Sequence, residues 1–274
     1  MTGEVLLMAR TLSRGLAAIV EALELTQPET VTMTELDALA RQAGVATEPR
    51  VLAGRLRDRG WLLPTGVTGV WGFVPGAHAG PLSHGEPTMP LRAALRRDPG
   101  LRAALALGTA AWAHGLADRL PTRLDVAVPR DQPVPAALAR AARITRFSSN
   151  LEPVTLKEVA TERIETILVH LAAQPNAVRS WSSVQEWIPD AAVEADAALV
   201  ETELTGRPKS VSVRLGYLLQ RLRPDISGSL FSAVGTKVWF GPRGPLLRHS
   251  ERWQVADTLL PFNPVALTTD DEAR

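Results

Sequence analysis

The sequence has no cysteine, a single tyrosine, only three lysines and no long apolar run. Without cysteine there is no disulfide framework, thiolate zinc site, iron–sulfur cluster or cysteine nucleophile. The longest apolar stretch, Ala103 to Ala113, is far short of the ~20 residues a membrane span needs. Arg10 and Arg14 interrupt the apolar N-terminal stretch, which reads against a secretory signal and for a cytoplasmic protein without a membrane partner. Also missing are G-x-G-x-x-G, G-x-x-x-x-G-K-[ST] and G-x-S-x-G. His78, His84, His114, His170 and His249 show no metal-ligand spacing. The expectation is a protein with no cofactor, no metal and no catalytic residue.

What is present suits a globular chain. Its 274 residues, 45 % hydrophobic and 22 % charged, suggest one large domain or two ordinary ones. The net charge of +1 conceals alternating blocks. Residues 1–80 hold seven basic and eight acidic side chains, and residues 81–150 hold ten and five. Residues 151–206 are strongly acidic and residues 207–253 strongly basic, with nine Lys/Arg against two Asp/Glu. Such blocks either make a polyanion-facing side or meet in space and cancel.

The first 75 residues read as helix, helix, short turn, helix, hairpin. Leu7, Met8, Leu12, Leu16, Ile19, Val20 and Leu23 put one apolar stripe on a helix from Glu4 to Leu25. Thr32-Met33-Thr34-Glu35 fits a capping box for a second helix, with Leu36, Leu39 and Ala40 inward and Gly44 as its stop. Thr47 is expected to cap a third helix, with Pro49 in its first turn and Gly60 past its end. Trp61 to Pro64 and Val70 to Pro75 then flank a glycine-bearing turn, as a β-hairpin does. That order is the order of a winged helix-turn-helix. Prolines and glycines between Gly76 and Pro90 suggest a linker, so the expected domains are 1–85 and 86–274.

The larger second domain reads as mixed α/β, giving an α+β protein overall. Helices are expected over Leu91–Arg97, Leu101–Ala117, Ala136–Ala142, Glu162–Ala173 and Lys209–Leu222, with two more in 178–204 separated near Pro189. Strands are expected at Arg123–Val128, Arg143–Phe147, Val154–Val159 and Thr236–Phe240, with a last apolar element at Trp253–Leu260.

Two surfaces could hold a polyanion. On the third helix Leu52 and Leu56 face inward, leaving Thr47, Arg50, Gly54 and Arg57 opposite, with Arg55 at one flank. Such a face can enter a major groove, because arginine donates two hydrogen bonds to guanine and glycine lets backbone approach. Thr65 and Thr68 at the hairpin tip would lie along adjacent phosphates. The plainer reading is a solvated face used for protein contacts. Arg207, Lys209, Arg214 and Arg221, with Arg223, form a possible second basic surface around the late helix, or simply a solvated one. A metal-dependent nuclease would need strand carboxylates and a lysine. Asp125, Lys157 and Glu158 are the only candidates, and their arrangement matches poorly.

Four stretches together resemble the AbiEi family of type IV antitoxins. They are Gly60-Trp61-Leu62-Leu63 with Gly69 to Pro75; Leu107 to Arg119 before the strand Leu124 to Pro129; Arg207 to Ser210 with Arg214 to Leu219; and Trp253 to Pro261. The resemblance implies an N-terminal winged helix that binds inverted repeats in double-stranded DNA of its own promoter and represses its operon. It also implies a C-terminal domain that neutralises a nucleotidyltransferase-like toxin encoded next door, with or without a stable complex. A monomer in solution is the family expectation. By that match Arg50, Gly54 and Arg57 fall on the recognition helix. The alternatives are a transcriptional regulator with no toxin attached and a nuclease targeted by its winged helix.

Overall fold

The computed structural model describes residues 12–76, 86–231 and 237–268. Over these the chain is mixed α/β, with eleven α-helices and three small sheets. Its contacts divide it into two units, Met1–Leu101 with Pro135–Ala141, and Arg102–Val134 with Ala142–Arg274. The boundary expected at residue 85, and residues 4–11 of the first expected helix, lie outside the described residues.

The first unit holds helices α1 (Arg14–Thr26), α2 (Met33–Gln42) and α3 (Pro49–Asp58) and strands β1 (Thr30–Thr32), β2 (Leu62–Pro64) and β3 (Val70–Phe73). Leu16, Ile19, Val20 and Leu23 of α1 meet Leu36 and Ala40 of α2, Leu52, Ala53 and Leu56 of α3, and Trp61, Leu62 and Phe73. The capping box forms as read: the Thr32 hydroxyl accepts from the Glu35 N–H at 3.2 Å, and the Thr32 N–H donates to Glu35 Oε2 at 2.8 Å. Burial pushes the Glu35 carboxyl up, but Thr32 and the Arg96 guanidinium outweigh it and hold the group below its ordinary value. Gly44 turns the chain at φ +64° between α2 and α3, a conformation glycine adopts without strain.

The expected hairpin is β2–β3, and β1 adds a third strand that the sequence reading missed. All three are antiparallel in the order β1-β3-β2, with Thr30 opposite Gly72 and Leu62 opposite Phe73. Three residues are too few to show a period, but β1 ends directly in the cap of α2, so one threonine serves both elements. Helix α4 (Met89–Arg97) packs on β1, β3 and the helix Ala136–Ala141, and Arg92 forms an ion pair with Glu29.

The second unit is built on a five-stranded sheet. In chain order its elements are β4 (Ala104–Leu105), α5 (Leu107–His114), β5 (Leu124–Val128), β6 (Ala142–Arg146), β7 (Val154–Leu156) and β8 (Val159–Thr161), while Ala136–Ala141, labelled α6, belongs to the first unit. The strand order is β6-β5-β4-β8-β7, with β5/β6 and β4/β8 parallel and the other pairs antiparallel. Helix α7 (Ile164–Ala173) is buried all round from Ile164 to Ala172 and packs on α5, α8 (Trp181–Glu194), α9 (Ala197–Leu204) and α10 (Lys209–Leu219). Its buried polar side chains Glu165, Thr166 and His170 are each hydrogen-bonded, as burial in a core requires. Helix α11 (Pro224–Leu230) and strands β9 (Val238–Phe240), β10 (Arg248–Ser250) and β11 (Val255–Asp257) complete the unit.

Four expectations need correction. The single helix over Leu101–Ala117 is instead strand β4 followed by α5. The alanine–leucine run has no decisive period, and Ala104 and Leu105 take the central place between β5 and β8. The strand Val154–Val159 is a hairpin, because Lys157 and Glu158 both adopt left-handed backbone, φ +48° and +59°, as a two-residue type I′ turn does. No helix break occurs at Pro189. Trp181, Val184, Trp187, Ile188, Ala191 and Ala192 keep one buried stripe through it, and that burial outweighs the ~3 kcal/mol a mid-helix proline costs. The late helix stops at Leu219 rather than Leu222.

Candidate functional site

Helix α3 is held by its apolar side and open on the other. Leu52, Ala53 and Leu56 are fully buried, whereas Arg50, Arg55 and Arg57 are exposed and Gly54 is half-buried. Arg50, Gly54 and Arg57 fall at i, i+4 and i+7, so they share one helical face. A Cβ built on Gly54 meets nothing within 4 Å, so the glycine is not required by packing. Among the described residues the Arg50 and Arg55 side chains make no hydrogen bond or ion pair. Arg57 donates to the Asp58 carboxylate at 2.8 Å, a pair exposed to water on both sides and therefore weak.

Thr47 is not the cap of α3. The helix begins one residue later than expected, so Glu48 occupies the N-cap position and no side chain caps it. Thr47 is half-buried beside that end. Uncapped N–H groups and the positive end of the helix dipole favour an anion there. At the hairpin, Thr65 and Thr68 part company. Thr65 is buried, and its hydroxyl donates to the Val70 carbonyl at 2.8 Å and accepts from the Val67 N–H at 3.2 Å, closing the turn from inside. Thr68 is exposed at the tip, between Gly66 and Gly69, both at φ +80°. The Gly69 carbonyl accepts from the Met33 N–H at 3.1 Å, which ties the hairpin to the start of α2.

The second basic surface does not form as expected, because three of its arginines are structural. Arg207 pairs with the fully buried Glu203, donates to the Ser148 carbonyl at 2.8 Å and lies 4.3 Å above the Phe147 ring. Glu203 also accepts from the Ser149 and Thr166 hydroxyls and from the Asn150 and Leu151 N–H groups. Arg214 donates to the Trp239 carbonyl at 2.7 Å and the Ala172 carbonyl at 3.3 Å, and its burial pushes its pKa down. Lys209 and Arg221 are exposed, and Arg223 is held by Asp225 and by the Ala192 and Ala195 carbonyls.

The nuclease candidates are likewise engaged. Asp125 is buried, burial pushes its carboxyl up, and Arg143 at 2.7 Å offsets part of that shift. Lys157 sits in the β7–β8 turn with its ammonium 4.6 Å over the Trp112 ring. Among the described residues no three His, Asp or Glu side chains converge as a metal site. None of the helices there is long and apolar enough to cross a membrane.

The motifs that the sequence singled out in this unit are packing partners. Gly216 of α10 lies under Trp253, where a Cβ would stand 2.3 Å from the indole ring. Beside it the Tyr217 hydroxyl donates to Asp257 Oδ2 at 3.2 Å, and Arg248 pairs with the same carboxylate at 3.0 Å. Asp257 Oδ1 accepts from the Leu259 and Leu260 N–H groups at 2.9 Å each. In α5, the Thr109 hydroxyl accepts from the Asp125 N–H at 2.8 Å, and His114 Nε2 lies 2.8 Å from the Glu162 carbonyl. Residues 103–221, which carry these α5 contacts, Glu203–Arg207 and Gly216, match the model of the AbiEi antitoxin C-terminal domain.

Over those residues the chain carries an AbiEi antitoxin C-terminal domain. The family of that domain is one of antitoxins. The fold is also similar to the crystal structure of the RV2827C protein from Mycobacterium tuberculosis, at 25 % sequence identity and a TM-score of 0.81. That likeness covers 93 % of this chain and 94 % of the other. No curated protein matches the chain.

Sequence reasoning missed the roles of Glu203, Asp257 and Arg207. The Glu203–Arg207 spacing of four within a helical region was a readable signal for an ion pair. The role of Asp257 toward Arg248 and Tyr217 carried no signal, since those partners lie 9 and 40 residues away.

Proposed function

We propose that this AbiEi protein represses its own operon by setting α3 in the major groove of promoter DNA, while its larger C-terminal region neutralises a nucleotidyltransferase-like toxin encoded beside it. The observation that carries the DNA reading is the outward face of α3. It presents Arg50 and Arg57 without any role in the core, and Gly54 where backbone can come close. Each arginine can reach guanine O6 and N7 in bidentate fashion or clamp a phosphate. Thr68 and the backbone of the hairpin tip reach the flanking phosphates; Thr65 braces the tip from within and has no hydroxyl to offer. The first 80 residues are nearly neutral, so the affinity from this unit rests on a few placed charges rather than on a basic field.

The expected result is measured by gel-shift titration on the promoter duplex at fixed salt. Arg50→Ala with Arg57→Ala should weaken binding by ~1–3 kcal/mol per lost contact and flatten the dependence on salt. Both side chains are exposed, so the melting temperature should hold. Unchanged affinity in the double variant would assign DNA binding to another face.

A further inference from the structure

Beyond the α3 face, the second unit contains a recess of about 550 Å³ whose wall carries four arginines, Arg102, Arg130, Arg146 and Arg207, against one carboxylate, Asp131. Its position follows from the sheet. β5 and β6 are parallel neighbours, and the residues just past their carboxyl ends, Arg130 and Arg146–Ser148, open into it. β4 runs antiparallel to β5, so Arg102, just before β4, reaches the same edge. Crevices beyond the carboxyl ends of parallel strands are where open α/β sheets bind ligands. The volume is within the range of small-molecule sites.

The four guanidinium groups are not equivalent. Arg207 is balanced by Glu203 and Arg102 by Asp131 at 2.6 Å. Arg146 is held only by neutral acceptors, the Pro129 carbonyl at 3.0 Å and the Gln132 carbonyl at 2.7 Å, so its charge stays uncompensated while its position is fixed. Arg130 is exposed and makes no hydrogen bond or ion pair among the described residues. Helix α10 begins at this wall, with Pro208 and Val211 lining it and no side chain capping its N-terminus. The helix dipole therefore adds to the positive potential. Phe147, the aromatic of the recess, has both faces covered: His170 stacks at 3.9 Å and Arg207 lies at 4.3 Å. It has no face left for a base.

We propose that this recess binds a free ligand bearing two or more adjacent phosphates, such as the polyphosphate of a nucleotide, without discriminating its base. Two uncompensated arginines, one pre-positioned and one free, are suited to bidentate contact with neighbouring phosphoryl groups, and a chain of phosphates offers both of them more charge and more acceptor oxygens than a single phosphate does. A recess of about 550 Å³ admits a compact anion but is too small to seat a duplex.

The test is calorimetric titration of the full chain with inorganic tripolyphosphate, orthophosphate, the four ribonucleoside triphosphates and a ten-nucleotide single-stranded RNA. Tripolyphosphate and all four triphosphates should bind alike and compete, and orthophosphate should bind at least about tenfold more weakly. Arg130→Ala, whose side chain holds nothing in the fold, should melt as the parent does and lose about tenfold in tripolyphosphate affinity. Arg146→Lys, which keeps charge but not the fork, should lose a similar factor. The proposal fails if tripolyphosphate does not bind, if Arg130→Ala leaves its affinity unchanged, or if orthophosphate binds equally well. It also fails if only the RNA binds and tripolyphosphate does not displace it, which would make the recess a nucleic-acid surface.

Discussion

At the scale of single residues, Tyr217 reports directly on the packing of α10 against the segment that holds Asp257. It is the only tyrosine in the chain, so tyrosinate absorbance follows this group alone. Burial and the neighbouring Asp257 carboxylate push its pKa up to about 12 from an ordinary value of 10. The folded state therefore favours the protonated phenol. Its contribution is complete below pH 10 and disappears as pH rises from 10 to about 12. Two pH units correspond to about 2–3 kcal/mol. The absorbance titration should show a midpoint well above 10 while the protein stays folded. Tyr217→Phe should be less stable than the parent at pH 8, with the gap closing toward pH 12. A midpoint near 10 in the folded protein, or a gap that does not change with pH, would separate Tyr217 from Asp257.

At the scale of elements, how well the sequence could be read depended on how local each cause was. The capping box of α2, the inward stripe of α1 and the apolar side of α3 are set by residues within one or two turns, and each was legible. β4 was not, because a two-residue strand is decided by its neighbours 20 to 60 residues away. The same reason explains Arg214, which looked like a surface charge until the Trp239 and Ala172 carbonyls were brought to it. On α3 the arginines could be placed on a face, but Thr65 turned inward for a bond across its own turn that spacing does not reveal. The fit of α10 on the Trp253 segment gives a direct test. Gly216→Ala forces a methyl group into the ring of a fully buried tryptophan, and overpacking of this kind costs ~1–3 kcal/mol or more. Gly54→Ala on α3 meets open space and gains helix propensity, so chemical denaturation should show it equal to or slightly more stable than the parent. Equal losses for the two glycines would contradict the packing of α10.

At the scale of the whole molecule, the proposed division of labour places DNA reading in residues 1–85 and toxin neutralisation in residues 86–274. Producing residues 86–274 beside the toxin should rescue growth, whereas a folded, expressed fragment that leaves toxicity intact would refute that assignment. The fragment is not free of cost. Starting at residue 86 it keeps α4 but removes Glu29, the partner of the buried Arg92, and uncovers the side of α4 that packed on β1 and β3. We therefore expect it to be less soluble than the full chain. The division of the chain by contacts also runs through the sequence three times, because Pro135–Ala141 belongs with the first hundred residues although the second unit surrounds it in sequence. A gene rearrangement that transplanted only the leading hundred codons would deliver a module short of one helix, so grafting this unit onto another protein demands that both pieces travel together.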